Sequence, residues 1–286
     1  MNIGFLGAGK VGSTLGKYFS LQGLPVTGYY SRHRESADAA AAFTESHSYH
    51  DLRTFVHDCD VLFLTVPDDS ISAVFTSLKP YPLNDKLVCH CSGALTAREA
   101  FPGIGSTGAS ALSIHPLVPI SSKTASYPEL AGAFFCLEGD DGPCHTWSRQ
   151  LTCFGNPNRI VSGEGKARYH AAAAIASNLT CSLLQESCHL LAECGFSEEE
   201  ALAALAPLVR SNLEHILSGG PTQAQTGPVE RNDLQTIQKH LSVLDTENER
   251  ELYRSLTRIA VELAQKRHPE TDYEALRAIL KGGTGR

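Results

Sequence analysis

Three spaced glycines near the start of the chain most constrain how this sequence can fold. The apolar stretch NIGFLG runs directly into GAGKVG, and KVGSTLGKYFSLQG continues with helical spacing. In a strand–turn–helix unit, the first glycine permits the turn, the second admits a pyrophosphate and the third allows close helix–sheet packing. The pattern therefore predicts dinucleotide binding rather than a purely structural turn. The predicted binding residues are Gly7, Ala8, Gly9, Lys10, Val11 and Gly12.

The end of the second predicted strand indicates which dinucleotide is bound. In an NAD site, an acidic residue about 20 residues beyond the turn hydrogen-bonds the ribose. Here PVTGYYS ends in Ser31, Arg32 and Arg34 follow, and residues 31–34 include no acid. A guanidinium binds a 2'-phosphate through charge-assisted hydrogen bonds, whereas a carboxylate would repel it. We therefore expect NADP, bound by these three residues. The alternative is that the arginines are solvated loop residues.

Apolar runs alternate with helical stretches through the first half of the chain. DVLFLTVP, KLVCHCSG and ASALSIHP each end in a turn signal, and a last unit extends to about Gly163. Such alternation predicts a parallel sheet covered by helices on both faces. The predicted fold is α/β, with a Rossmann-type, doubly wound, mostly parallel sheet in residues 1–163 and an all-helical domain in residues 164–286.

The helical half opens with one predicted helix from about Glu164 to a cap at Gly195. The next stretch begins with Ser197 and Glu200, which form a predicted capping box. Three further amphipathic helices are expected, in GPVERNDLQTIQKHLSVL, TENERELYRSLTRIAVELAQKR and DYEALRAILK.

Composition argues against several other classes of protein. The formal charge is −7 and no basic stripe occurs, so nucleic-acid binding is disfavoured. No apolar run approaches the roughly 18 residues of a membrane helix, and the first strand leaves no room for a signal peptide. We expect no membrane association and a cytoplasmic location. Cys89 and Cys91 would lie on the strand face opposite His90, so no metal site is expected there.

Ligands of such sheets bind beyond the carboxyl ends of the strands, where three further loops are expected. VPDDS places Val66, Pro67 and Asp68 beside the cofactor, and CSGAL places Ser92 and Gly93 near the nicotinamide. IHPLVP places His115 at the same edge. Ser92 would orient the substrate. His115 is a candidate proton donor, with a strand-ending role as the alternative. The predicted residues of these loops are Val66, Pro67, Asp68, Ser92, Gly93 and His115.

The first long helix carries a polar stripe among alanines. At 100° per residue, Lys166, His170 and Ser177 fall within about 40° of one another, and Tyr169 and Asn178 flank them. If the stripe faces a cleft, Lys166 or His170 could donate the proton that accompanies hydride transfer. The alternative is a solvated start of the helix.

TGPVERND, residues 226–233, is the last candidate. Gly227 and Pro228 suit the start of a helix, with Glu230 and Asp233 in its first turn. The functional interpretation is that Arg231 binds a substrate carboxylate, in this subunit or in a partner's cleft.

The motifs GAGKVG, YSR, VPD, CSGAL, SIHPL, KARYHAAAAIASN and TGPVERND span nearly the whole chain. With them the chain resembles the phosphogluconate dehydrogenase-like superfamily. It is most similar to a bacterial family of Rossmann-like oxidoreductases whose helical C-terminal domain has no assigned function. The resemblance implies an NADP-dependent reductase that dimerises through its helical domain. In related hydroxyacid dehydrogenases and ketopantoate reductases, a lysine on the long helix polarises the carbonyl, with an asparagine one turn later. Lys166 matches the lysine, but His170 stands where the asparagine would be.

Three functions follow as hypotheses. The leading one is reduction of a small carbonyl compound such as a 2-keto acid by NADPH, with Lys166 as proton donor and His115 or His170 as rivals. Ser92, Asn178 and Arg231 would contact the substrate. The second is imine reduction of the pyrroline-carboxylate type, and the third is an NADP sensor without turnover. Long Ala- and Leu-rich helices carry more apolar surface than one domain face can cover, which predicts a homodimer.

Overall fold

An eight-stranded sheet forms the first part of the chain in the computed structural model, which describes residues 1–281. Its order is β3-β2-β1-β4-β5-β6-β7-β8, and every neighbouring pair is parallel except β6 and β7. The predicted fold class is therefore confirmed. The strands are β1 (Ile3–Leu6), β2 (Val26–Tyr30), β3 (His47–Tyr49), β4 (Val61–Leu64), β5 (Leu87–His90), β6 (Ser110–Pro116), β7 (Phe135–Gly139) and β8 (Asn158–Ile160).

Helices cover both faces of this sheet, and further helices make up the rest of the chain. Those beside the sheet are α1 (Lys10–Leu21), α2 (Arg34–Thr44), α3 (Leu52–Asp58), α4 (Asp68–Leu78), α5 (Ala97–Ala100) and α6 (Asp141–Cys153). The others are α7 (Gly163–Ala176), α8 (Asn178–Glu193), α9 (Glu198–Gly219), α10 (Pro221–Ala224), α11 (Leu234–Val243), α12 (Glu247–Arg267) and α13 (Glu274–Leu280). Short 3-10 helices span Ile104–Thr107 and Tyr127–Leu130.

The central strand β4 shows why the sheet is buried on both faces. Successive side chains of a strand point to opposite faces, and all four residues of β4 are apolar. Val61 and Phe63 belong to one core cluster, and Leu62 and Leu64 belong to the other. The strand order reverses between β1 and β4, which is where ligands of such sheets bind.

The chain divides into two compact units, Met1–Ser182 and Leu183–Arg286. The division falls within α8, whereas the domain boundary was expected after residue 163, and α7 packs on β7 in the first unit. The second unit has its own small core around Ile237, Val261 and Leu276. The last five residues of the predicted helical domain lie outside the described residues.

The prediction of one helix from Glu164 to Gly195 is wrong, because α7 ends at Ala176 and α8 begins at Asn178. Ser177 between them leaves the helical conformation, with φ −116° and ψ −82°. Ser and Asn side chains compete for backbone hydrogen bonds, which favours a break at such a pair.

Two other predicted helix starts have opposite outcomes. The capping box of α9 is confirmed, since Ser197 Oγ accepts from Glu200 N and the Glu200 carboxylate accepts from Ser197 N. The start at Gly227 and Pro228 is wrong. The helix α11 begins at Leu234, where the Asp233 carboxylate caps it by accepting from Thr236 N.

Within residues 1–281, no helix is both long enough and apolar enough to cross a membrane.

Candidate active site

The turn after β1 has the geometry that its glycines predict. Gly7 has φ +113°, a region that favours glycine, and a Cβ there would lie 2.6 Å from the Thr65 carbonyl oxygen. A Cβ on Gly12 would lie 2.5 Å from the Gly7 oxygen. At Gly9 the nearest atom would be 4.0 Å away, so the backbone there is open to a ligand. The first and third glycines are required by packing, and the second leaves space for a phosphate.

A pocket of about 580 Å³ lies over this turn. Volumes of 300–1,000 Å³ are usual for small-molecule and cofactor sites. Seven of the predicted cofactor residues line the pocket: Gly7, Ala8, Gly9, Ser31, Arg32, Val66 and Pro67. Seven others do not line it: Lys10, Val11, Gly12, Arg34, Asp68, Ser92 and Gly93. Lys10, Val11 and Gly12 instead form the first turn of α1, whose N-terminus faces the phosphate position.

The wall of the pocket after β2 is cationic. Arg32 and His33 are exposed there, and the Ser31 hydroxyl accepts a hydrogen bond from His33 N at 3.3 Å. Among the described lining residues the carboxylate is that of Asp69, which belongs to α4 rather than to this loop. The glycine turn, the helix N-terminus and the Arg32 guanidinium together suit a dinucleotide with its phosphates.

The sequence did not single out several residues that line this pocket. Most lie on α4 at helical spacing, so the periodicity after VPDDS could have found them. Ser36 is the third residue of α2. Lys123 comes from the distant segment between β6 and β7, for which no motif gave a signal. The missed residues include Ser36, Asp69, Ser70, Ala73, Val74, Ser77 and Lys123.

Ser92 connects the start of α4 to the loop after β5. Its hydroxyl donates to Asp68 Oδ2 at 2.5 Å and accepts from Ala94 N and Leu95 N. Ser92 is buried, so it holds the loop rather than presenting its hydroxyl to solvent. Asp68 follows Pro67, which lines the dinucleotide pocket. The loop at Gly93 is thereby tied to the edge of that pocket.

Two histidines meet at Gly93. A Cβ there would lie 2.9 Å from His115 Nε2 and 2.3 Å from His170 Cδ2. The two imidazole rings are perpendicular, with centroids 6.0 Å apart. His115 Nδ1 lies 2.8 Å from the Tyr169 hydroxyl. The structure therefore brings together Gly93, His115 and His170, which lie in separate segments of the sequence.

A second cavity, of about 320 Å³, borders these histidines. The polar residues that line it are His115, His170, Ser177 and Asn178. The break between α7 and α8 thus forms part of this wall. The remaining lining residues are apolar: Pro116, Leu117, Val118, Pro119, Ala173, Ala174 and Ala176.

Lys166 does not line this cavity. It is 1% exposed, and its ammonium donates to Ser113 Oγ and lies 3.5 Å from Glu138 Oε2. Glu138 is also buried and accepts a hydrogen bond from Ala97 N at 2.7 Å. Lys166 therefore joins α7 to β6 and β7. Neither Ser113 nor Glu138 was singled out by the sequence, where both sit in apolar strand runs.

Burial governs the protonation of the groups around Gly93. Desolvation, with the nearby His170 and Lys166, lowers the pKa of His115 to about 4. Desolvation likewise lowers the pKa of His90, which is fully buried beneath this loop, to about 3. The pKa of Lys166 is also lowered by desolvation, and Glu138 opposes that change. Desolvation raises the pKa of Tyr169. At neutral pH His115 is therefore an uncharged imidazole.

Arg231 lies in the second compact unit and is exposed. Its backbone N–H donates to the Gly227 carbonyl at 3.3 Å. The neighbouring Glu230 pairs with His268 at 2.8 Å and with Arg267 at 3.8 Å. Binding of a substrate carboxylate by Arg231 stays a prediction.

Two family models match different parts of the chain. Residues 2–92 match the model described as NADP oxidoreductase, coenzyme F420-dependent. Residues 133–260 match a domain of unknown function, DUF2520. The second match begins before β7, so it includes the end of the sheet as well as most of the helical region. A comparison with curated proteins gave no match.

Several solved structures are similar over nearly the whole chain. A protein from Thermotoga maritima is 25% identical, with a TM-score of 0.72, and the alignment covers 93% of this chain and 99% of that one. A reductive aminase from Aspergillus terreus is 18% identical, with a TM-score of 0.60 and coverage of 98% and 94%. A pyrroline-5-carboxylate reductase from Coxiella burnetii is 18% identical, with a TM-score of 0.57 and coverage of 93% and 97%.

These comparisons confirm the coarser predictions. The fold is Rossmann-like with a helical C-terminal region. The match of residues 2–92 confirms an oxidoreductase domain of the class that uses NAD(P). The C-terminal match agrees with the predicted resemblance to a family whose helical domain has no assigned function.

Proposed function

We propose that this protein is an NADPH-dependent reductase of a small, uncharged carbonyl compound. The observation that carries the proposal is the meeting of His115 and His170 at Gly93, beside a cavity of about 320 Å³. The hydrogen bond between Ser92 and Asp68 ties this loop to the edge of the dinucleotide pocket. In this proposal Pro67 and Gly93 would hold the nicotinamide end of the cofactor, which would supply the hydride.

The cofactor proposal depends on the loop after β2. Arg32 and His33 line the pocket there, and that loop offers no carboxylate to a ribose hydroxyl. A cation at this position favours a 2'-phosphate, which distinguishes NADP from NAD.

His170 is the proton donor in this proposal. When bound, NADPH would supply a hydride from C4 of its nicotinamide to the substrate carbon and would be oxidised to NADP⁺. The carbonyl π bond breaks as this hydride arrives, and His170 gives its proton to the substrate oxygen, which yields an alcohol. His170 lines the cavity, whereas Lys166 is buried against Glu138 and Ser113.

His115 holds the substrate oxygen rather than protonating it. Its pKa of about 4 leaves it uncharged at neutral pH, so it is a poor acid. His115 Nε2 faces Gly93, and the proposal requires the tautomer that carries its proton on Nε2, with Nδ1 accepting from the Tyr169 hydroxyl. This N–H can donate to the substrate oxygen and stabilise the negative charge that develops there.

The walls of the cavity favour an uncharged substrate. Prolines, alanines and aliphatic side chains line it with the two histidines, Ser177 and Asn178. No lysine or arginine is among its lining residues in the described part of the chain. A 2-keto acid would need a cation for its carboxylate, which is the role that Arg231 was predicted to have.

Imine reduction is the second candidate. The structural similarity to a reductive aminase, solved with cyclohexanone and allyl amine, supports it, as does the similarity to a pyrroline-5-carboxylate reductase. The same cavity would accept a neutral imine, and the proton would then go to nitrogen.

The experiment is a screen for oxidation of NADPH, followed by absorbance. Neutral ketones, aldehydes and cyclic imines are compared with 2-keto acids of the same carbon skeleton. We expect turnover of neutral compounds and poor turnover of the acids. A preference for keto acids would contradict the substrate class and would restore the role of Arg231. Tight NADPH binding without turnover of any compound would favour an NADP sensor.

We also propose a homodimer formed through the helical region. In α9, 22 residues long, the buried residue is Ala201. Leu202, Leu213 and Leu217 are exposed and fall within about 60° on one face. Such a face is typical of an interaction surface, and a second copy of the chain would cover it. A stable monomer in sedimentation at micromolar concentration would contradict the dimer.

A further inference from the structure

A lysine far from the glycine motif lines the dinucleotide pocket. Lys123 lies between β6 and β7 in sequence and borders the same pocket as Gly9, Arg32 and His33. Its side chain is exposed. Among residues 1–281 it has no ion pair with a carboxylate. The ammonium is therefore available to a ligand.

The backbone on either side of Lys123 is anchored. The Ser122 carbonyl accepts a hydrogen bond from Thr14 Oγ1 at 3.1 Å, and Thr14 is fully buried in the second turn of α1. Ser122 N donates to Ser126 Oγ at 3.1 Å, and Ser126 is buried. These contacts hold the segment beside the N-terminal half of α1, which carries the phosphate-binding turn.

The charges around Lys123 favour an anionic ligand. The N-terminus of α1 favours negative charge, and Arg32 adds positive charge on the neighbouring wall. The ammonium of Lys123 is a second cation in the same pocket, and a phosphate would give it a partner.

We propose that Lys123 binds a phosphate group of the dinucleotide, either the pyrophosphate or the 2'-phosphate. This inference rests on the proposed function, since it requires that the pocket bind NADPH. It adds to the cofactor site a residue from the segment after β6, which no glycine or arginine motif indicates.

The test measures the affinities of the wild type and of Lys123→Ala for NADPH and for NADH by fluorescence titration. An exposed ion pair is worth up to about 1 kcal/mol, so we expect binding of NADPH to weaken on the order of fivefold. Lys123→Arg should retain most of the affinity. Lys239→Ala removes the same charge from an exposed site on α11 and should change neither affinity.

Comparing NADPH with NADH distinguishes the two phosphate positions, because NADH lacks the 2'-phosphate. A similar loss for NADPH and NADH would assign Lys123 to the pyrophosphate, and a loss for NADPH alone would assign it to the 2'-phosphate. Raising the ionic strength should reduce the difference in NADPH affinity between the wild type and Lys123→Ala, because screening weakens exposed charge pairs. Unchanged affinity of Lys123→Ala for both ligands would overturn the proposal. A wild type that binds neither ligand would overturn the proposed function as well.

Discussion

The glycine turn after β1 and the helix α7 contribute to function in different ways. The turn acts through its backbone, since Gly7 and Gly12 are fixed by packing against Thr65 and the ligand meets the helix N-terminus. In α7 the function depends on which way each side chain points. Lys166 and His170 are one turn apart, yet one is buried in an ion pair and the other lines a cavity.

Two residues one turn apart on the polar stripe of α7 therefore need not have the same role. Lys166 has its partners on β6 and β7, so it joins α7 to the sheet. His170 instead lies against Gly93 and lines the cavity. Variants of Lys166 and of His170 test whether the two residues have separate roles.

The largest effect is expected from His170→Ala. Removing a general acid typically costs 10²–10⁴ in rate, so we expect turnover to fall on the order of 10²–10³. The affinity for NADPH should hardly change, because His170 does not line the dinucleotide pocket. Steady-state kinetics with a substrate from the screen, beside fluorescence titration of NADPH, measures both. Near-normal turnover in this variant would remove His170 as the proton donor.

Lys166→Met should act on stability. It leaves the Glu138 carboxylate buried without its cation, and breaking a buried pair in this way costs about 3–5 kcal/mol. Denaturant unfolding measures the loss. The double variant Lys166→Met/Glu138→Gln should recover part of it, since the unpaired charge is then absent. If Lys166→Met unfolds like the wild type but fails in turnover, the roles of Lys166 and His170 are exchanged.

Acid should destabilise the region around Gly93. The folded pKa of His115, about 4, lies below its ordinary value of 6.5, so the unfolded chain binds more protons in that interval. The free energy of unfolding should therefore fall as pH drops from about 6.5 towards about 4, and His90 adds to this trend.

Denaturant unfolding at several pH values checks this expectation. His115→Gln should show a shallower pH dependence than the wild type. His145→Gln, at an exposed site on α6, serves as the matched control and should resemble the wild type. An unchanged slope in His115→Gln would mean that this histidine is protonated as easily in the folded protein as in the unfolded chain.

Features set by local backbone chemistry could be predicted from the sequence. The glycine turn, the capping box at Ser197 and the alternation of strands with helices each depend on residues close together in the chain. His115 and His170 were both identified as candidates. Their meeting at Gly93 could not be read from the sequence, because three separate elements bring it about.

Other features had no local signal. Lys166 is buried because Ser113 and Glu138 lie on neighbouring strands, and neither stands out within its apolar run. The break at Ser177 interrupts a helical periodicity that continues on both sides, so the pattern predicted one helix. The strand β3 has three residues, which are too few for an alternation of apolar and polar residues to be recognised in the sequence.

The preference for NADPH over NADH is tested by variants of two neighbouring arginines. Arg32 lines the dinucleotide pocket, whereas Arg34, the first residue of α2, does not. Affinities for NADPH and NADH are to be measured by titration for the wild type, Arg32→Ala and Arg34→Ala. We expect the wild type to prefer NADPH, and Arg32→Ala to lose about tenfold or more in NADPH affinity with NADH nearly unchanged. Arg34→Ala should stay within about twofold of the wild type, as surface substitutions usually do. A wild type that prefers NADH, or an equal loss for both ligands in Arg32→Ala, would contradict the account.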